Sequence, residues 1–250
     1  LPEQKKIASI LTSVDEVIEN TQKQIDKLQD LKKATMNELL TKGIGHTEFK
    51  DSELGRIPKS WEALPLGDIV NLKQGVQVDL KFQKTEVTEG YLPFLRIENY
   101  TQNSTDIRFI PEQYARGSMV SIDDVVMVRY GATAGFVGQG QTGVLANNLF
   151  SVTPLQEQMT KPFLKLLLDS SFKEFQDAMA GGAMPALNFG MFKSIIKVVP
   201  PVDEQVKIAG YVSAIDFNIK ALNKKIHQTQ SLKKSLMQDL LTGKVRVTVN

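Results

Sequence analysis

A glycine-rich run and a pair of adjacent carboxylates are the features of this 250-residue chain that first suggest chemistry. Gly138-Gln139-Gly140-Gln141-Thr142-Gly143 has the G-x-G-x-x-G spacing with which a strand-to-helix turn cradles a pyrophosphate. That motif works only where a helix N-terminus follows. Here Val144-Leu145-Ala146-Asn147-Asn148-Leu149-Phe150 follows, which reads as strand, so the run is expected to be a glycine-rich hairpin. Phe136-Val137-Gly138-Gln139-Gly140 also fits F-x-G-x-G, a loop that adenine methyltransferases place near S-adenosylmethionine. The Asn-Pro-Pro-aromatic or Asp-Pro-Pro-aromatic tetrapeptide that would hold a flipped base is absent. Asp123-Asp124 reads as a solvated turn, and His46 and His227 lack neighbours at metal-ligand spacing. With no cysteine in the chain, thiolate metal sites and cysteine nucleophiles are excluded. No catalytic residue, metal site or cofactor emerges, and a non-enzymatic role is expected.

The elements that would position any site fall into two kinds. At an offset of 201 the ends of the chain repeat each other without a gap. Glu3-Gln4 matches Glu204-Gln205, Lys6-Ile7-Ala8 matches Lys207-Ile208-Ala209, and Leu31-Lys32-Lys33 matches Leu232-Lys233-Lys234. Leu39-Leu40-Thr41 matches Leu240-Leu241-Thr242, with Asp15 against Asp216 and Ile25 against Ile226 between. Both copies carry apolar residues at three- and four-residue steps, which predicts long helices over 1–42 and 200–243. At 1.5 Å per residue the about 39 repeated residues make a rod of about 58 Å. A seam that narrow on a rod that long needs a partner helix. An antiparallel coiled coil is expected, with Ile18, Ile25, Leu28 and Leu39 against Ile219, Leu222, Ile226 and Leu240 in the seam; Leu31 and Leu232 fall in the same periodic pattern.

Between the helices the pattern changes. After a linker over 43–60, residues 61–199 read as an α+β domain of short strands punctuated by glycine. The strand candidates are Val70–Val78, Leu92–Ile97, Val125–Tyr130, Phe136–Val137, Val144–Val152 and Ile195–Val199. One amphipathic helix is expected over Lys161–Met179, and residues 244–250 form a tail. The whole chain is near neutral, with 30 Lys and Arg against 28 Asp and Glu, and residues 59–199 carry 13 against 14. Any contact with a polyanion must therefore come from a local basic face. No apolar run is long enough for a membrane span, which makes a soluble intracellular protein the default.

Several of these motifs together resemble type I restriction–modification specificity subunits. Pro201-x-x-Glu204-Gln205-x-x-Ile208, leading into a helix that ends Leu240-Leu241-Thr242-Gly243-Lys244, is similar to that family's conserved region. So is Pro2-Glu3-Gln4-x-x-Ile7 with Leu39-Leu40-Thr41-Lys42-Gly43. Ile57-Pro58-x-x-Trp61-x-x-x-Pro65-Leu66-Gly67-Asp68 resembles the opening of its target recognition domain, Val125–Gly131 a strand-to-glycine segment, and Gly182–Asn188 the loop before the exit strand. The resemblance implies a non-catalytic, cytoplasmic protein that recognises double-stranded DNA. Methyltransferase subunits would dock on the helices, with a restriction subunit engaged through them. A full subunit of the family alternates two recognition domains with two helices. One recognition domain between two helices implies the C-terminal half of a longer subunit or a half-subunit that pairs with a second copy. Each would read half of a bipartite target. The alternatives are a coiled-coil scaffold that binds no DNA and, third, a small-molecule methyltransferase.

By residue type, the candidate DNA contacts are Lys73, Gln74, Lys81 and Lys84 around the first turn, and Arg96 and Asn99 at a strand end. Arg129, Tyr130 and Thr133 beside Gly131, and Asn188 in the loop, complete the set. Arginine can fork onto guanine and Asn or Gln can pair with adenine, whereas lysine more often positions the phosphate backbone.

Overall fold

In a computed structural model, residues 2–155, 158–180 and 185–248 are described. The fold is α+β, as the sequence predicts, and divides into two compact units, residues 1–39 with 210–250 and residues 40–209. In chain order the elements begin with α1 (Pro2–Lys42), β1 (Phe49–Ser52), β2 (Gly55–Pro58), β3 (Glu62–Pro65), α2 (Leu66–Ile69) and β4 (Val70–Gln74). They continue with β5 (Tyr91–Leu95), α3 (Ile97–Thr101), β6 (Arg108–Pro111), β7 (Met119–Val120), β8 (Val125–Val128) and β9 (Val137–Gly138). The rest are β10 (Gly143–Leu145), β11 (Leu149–Pro154), α4 (Lys161–Ser170), α5 (Phe172–Ala178), α6 (Phe189–Ser194), β12 (Ile196–Val199) and α7 (Val202–Leu241).

The helical unit is a paired seam built by the repeat. Lys233 reaches Asp15 at 2.5 Å and Lys32 reaches Asp216 at 2.7 Å, which fixes α1 and α7 as antiparallel. Asp15 and Asp216 are repeat equivalents, as are Lys32 and Lys233, so the two ion pairs exchange under the repeat. Ile25 is 1% exposed and Ile226 8%, at the middle of the seam, with Leu240 buried near one end. Ile18, Leu28, Leu39, Ile219 and Leu222 are half-buried. Leu31 and Leu232 keep the apolar period but lie in the open, because a two-helix seam covers too narrow an arc to include them. Thr21, the repeat equivalent of Leu222, is buried between Ile18 and Ile25, and its hydroxyl donates to the Val17 carbonyl, so that it is buried without an unpaired polar atom.

In the second unit two four-stranded sheets carry the core, one ordered β6-β5-β10-β7 and the other β4-β11-β8-β9. All pairings in them are antiparallel except β5 with β10. Val125, Val126, Met127 and Val128 of β8 are all buried, as an interior strand requires. Leu95, Val126, Val128, Leu145 and Leu149 form one apolar cluster and Val78, Phe94, Ile110 and Val144 another. Phe163, Leu164 and Leu168 of α4 are fully buried, and the Phe175 and Phe192 rings meet at 5.5 Å.

Four expectations are corrected. The linker holds a hairpin, β1 with β2, closed where the Ser52 hydroxyl donates to the carbonyl of Gly55 at its positive φ of 93°. Val144–Val152 is two strands in different sheets, because Ala146 accepts from Leu149 N–H and turns the chain. Likewise the glycine run is a crossing from β9 in one sheet to β10 in the other, not a hairpin. The single helix over 161–179 is broken: Ser170 and Ser171 both donate their hydroxyls to the Leu167 carbonyl, which ends α4 before α5 begins.

The shared motif at the start of α7 has a clear structural role. Glu204 accepts from Ile44 N–H at 2.8 Å, the Trp61 indole N–H at 2.8 Å and His46 Nε2 at 2.8 Å. Burial raises its affinity for a proton, but the three donors outweigh burial and hold the carboxyl below the usual glutamate range. Gly43, at φ 67°, is required beneath it, since a Cβ there would stand 2.5 Å from Glu204 Oε1. Gln205 is fully buried; its carbonyl accepts from Thr160 N–H while its amide donates to the Gln158 and Pro200 carbonyls.

Candidate nucleic-acid interface

The ends of β4 and β8, the turn between β10 and β11, and the segment leading into α6 converge on one corner of the recognition domain. Backbone pairing brings them there. Gly75 N–H donates to Leu149 O at 2.9 Å, and Val76 N–H to Leu145 O at 2.8 Å. Arg129 N–H donates to Asn148 O at 2.9 Å, while its own carbonyl accepts from Leu187 N–H at 2.8 Å. Gly75 has no room for a side chain: a Cβ would stand 2.2 Å from the Ala146 carbonyl oxygen. The close approach that glycine permits lets β4 carry Gln74 to this corner.

On that frame the side chains form a chain of contacts. Arg129 Nη1 donates to Gln74 Oε1. Gln74 Nε2 donates to Asn147 O at 2.8 Å, and Asn147 Nδ2 to Gln77 Oε1 at 3.2 Å. The guanidinium lies 4.8 Å from the Tyr130 ring centre and 4.4 Å from that of Phe189. Asn188 caps α6, its Oδ1 accepting from Gly190 N–H at 2.7 Å. Arg129 Nε and Asn148 Oδ1 are buried without a hydrogen-bond partner among the described residues. Lys73, next to Gln74 on β4, projects from the other face of the strand: its ammonium lies over Gly117, within 2.6 Å of where a Cβ would be, and the preceding Arg116 holds a positive φ of 44°. Among the described residues none of Lys73, Arg116 and Arg129 has a carboxylate partner. Each is thus an unneutralised cation in a segment whose total is slightly acidic.

The structure sorts the remaining candidates. Arg96 is committed to Glu98 at 2.7 Å and Asp106 at 2.9 Å, which neutralises it. Asn99 is 1% exposed, accepts from Arg96 N–H, and donates to Ser104 O and Asp106 O. It closes the turn after α3 and has nothing left for a base, so its assignment as a DNA contact is corrected. Lys81 sits over the Phe82 ring near Asp79, and Lys84 over Tyr91 beside β6. Neither belongs to the cluster around Arg129. Thr133 lies in the turn after Gly131, its carbonyl accepting from Phe136 N–H. Of the loop over 181–188, residues 181–184 lie outside the described residues. Asp124, set beside Asp123 in the sequence, closes its turn by accepting from Ser121 N–H and pairs with Lys161 at 2.6 Å. Burial acts against its charge, but these donors hold the carboxyl below its usual range. Arg116, Gln77, Asn147 and Phe189 were not singled out by sequence. Arg116 beside Gly117 carries a signal in its turn-like dipeptide, whereas the others become recognisable only when the strands are paired. Among the described residues no group of three or more metal-ligating side chains is present, and no helix is long and apolar enough to cross a membrane.

In chain order a β-rich domain follows one copy of a repeated helix and precedes the other, an arrangement of modular kind. Residues 58–230 match the family described as type I restriction modification DNA specificity domain. The chain is 31% identical over 263 residues to the type I restriction enzyme MjaVIII specificity subunit of Methanocaldococcus jannaschii, covering 99% of this chain and 61% of that protein. It is 33% identical over 260 residues to the putative MjaX specificity subunit of the same organism, covering 99% and 58%. The fold is similar to the crystal structure of a type I restriction–modification S subunit from M. genitalium, with a TM-score of 0.66 at 18% identity over 99% of this chain and 62% of that one. The chain belongs to the type I restriction–modification specificity-subunit family, and it spans about three fifths of the length of these relatives.

Proposed function

We propose that this chain recognises one half of a bipartite double-stranded DNA target and docks methyltransferase subunits through its helices, the catalysis residing in those partners and in the restriction subunit they engage. The observation that carries the DNA reading is the polar patch at Arg129, whose guanidinium has no acid partner among the described residues and is held beside Gln74, Tyr130 and Phe189. Such a patch neutralises few phosphates, so salt should weaken binding only moderately. Tyr211 and Phe217 of α7, 57% and 72% exposed, supply apolar side chains suited to a protein partner.

The half-target reading has its own support in the repeat. Gln205 and Ile208 are fully buried and Ala209 is 6% exposed, whereas their equivalents Gln4 and Ala8 are exposed and Ile7 is half-buried. Glu3 accepts from Val247 N–H at 3.2 Å and Arg246 Nε at 2.9 Å, much as Glu204 accepts from Ile44 N–H. The first turns of α1 thus repeat the sequence seated at α7, and their exposed Gln4 and Ala8 are suited to a second recognition domain. The test is an electrophoretic mobility shift with pools of duplexes, with and without methyltransferase subunits. Sequence-dependent retention supports the proposal. Assembly with partners but no retention of any duplex would establish the scaffold reading instead.

A further inference from the structure

We infer that Arg129 reads a guanine in the major groove through the tip of its guanidinium, and that Gln74 acts as a positioning residue for it; this rests on the DNA reading above. The geometry separates the two roles. Gln74 has spent its carbonyl oxygen on Arg129 and an amide hydrogen on the Asn147 carbonyl. It no longer offers the paired donor and acceptor with which a glutamine recognises adenine. Arg129 has only donors, and its Nε is buried. One hydrogen on Nη1 is taken by Gln74, which leaves the second hydrogen of Nη1 and both of Nη2 to donate. Nη2 has no partner among the described residues.

Two neighbouring donors in a plane match a base that presents two neighbouring acceptors. In the major groove that base is guanine, through O6 and N7. A phosphate needs charge and reach, which the exposed Lys73 and Arg116 already supply. Arg129 is built differently: the Tyr130 and Phe189 rings and the Gln74 clamp fix the plane of its guanidinium. Fixing a plane adds nothing to a diffuse charge contact, but a fork gains from it because less side-chain freedom is lost on binding.

The experiment first selects the preferred duplex of the intact wild-type chain from a random pool. Each guanine in that duplex is then replaced, one at a time, by 7-deazaguanine, which removes the N7 acceptor and keeps Watson–Crick pairing. At one position the replacement should weaken wild-type binding about tenfold. Arg129→Met, which keeps a long side chain but has no donor, should lose the wild-type preference at that position and become indifferent to the replacement. Gln74→Leu should reduce the preference at that same position and leave the preferences at the other positions in place. The emission of Trp61, the sole tryptophan, and the melting temperature check that each variant is folded. If Arg129→Met and Arg129→Ala lose affinity equally for all duplexes with every base preference intact, Arg129 is a phosphate contact and the inference is overturned. A wild-type chain that selects no duplex at all overturns the DNA reading itself, a separate outcome.

Discussion

Removing the Glu204 carboxylate is the most informative single change to the recognition domain. It satisfies three donors, from Ile44, His46 and Trp61, and its side chain is only 13% exposed. Glu204→Ala leaves those donors to whatever water can enter. At about 1–3 kcal/mol for each unsatisfied buried donor, and with partial rehydration, the expected loss is about 2–4 kcal/mol. Glu204→Gln keeps the shape but turns an amide toward the donors and should lose about 1–2 kcal/mol. Trp61 is fully buried and is the sole tryptophan, so urea unfolding followed by its fluorescence reports on this cluster directly. With a slope of about 2–3 kcal/mol per molar, the alanine variant should unfold at least ~0.7 M earlier in urea. The charge makes a further demand. Because the folded-state affinity of Glu204 for a proton is lowered, its contribution is present above the unfolded glutamate range and disappears as pH falls through the folded value. The difference between wild type and Glu204→Gln should therefore shrink on acidification below that range. A midpoint shift equivalent to less than about 0.5 kcal/mol at neutral pH, the size of an ordinary surface substitution, would refute the argument.

The helix pair and the glycines give further tests. Ile25→Lys or Ile226→Lys places an unpaired charge in the middle of the seam and should cost about 3 kcal/mol or more, whereas Leu31→Lys at its exposed position should change stability by less than about 0.5 kcal/mol. Thermal melting by circular dichroism distinguishes them, and equal effects would mean that the seam is misplaced. Gly75→Ala drives a methyl into the Ala146 carbonyl and should destabilise by about 2 kcal/mol or more, while Gly210→Ala, which meets nothing within 4 Å inside α7, should stabilise by about 0.5–1 kcal/mol. A common sign for the two in chemical denaturation would contradict the packing described.

The parts of the fold that local pattern controls were legible in the sequence. The offset repeat and its three- and four-residue steps specify two helices, and Lys233 with Asp15 and Lys32 with Asp216 show them paired as expected. The breaks were harder to read because each depends on a competing local bond: Ser170 and Ser171 turning back to Leu167, or Leu149 closing on Ala146. Residue type suggested Arg129, Tyr130, Gln74 and Lys73 as candidate contacts, but also Asn99, which is buried by the turn it closes. Type says what a side chain can do, not which donors it has already spent. The Gln74–Arg129 contact joins residues 55 positions apart, and Phe189 arrives from a third element. Only strand pairing brings them together.

The most direct test of the central claim is selection from a pool of random duplexes by the intact chain, read out by sequencing the retained fraction. The account predicts enrichment of one short contiguous block of base pairs that the wild-type chain prefers over its single-base variants. A retained pool indistinguishable from the input would contradict it.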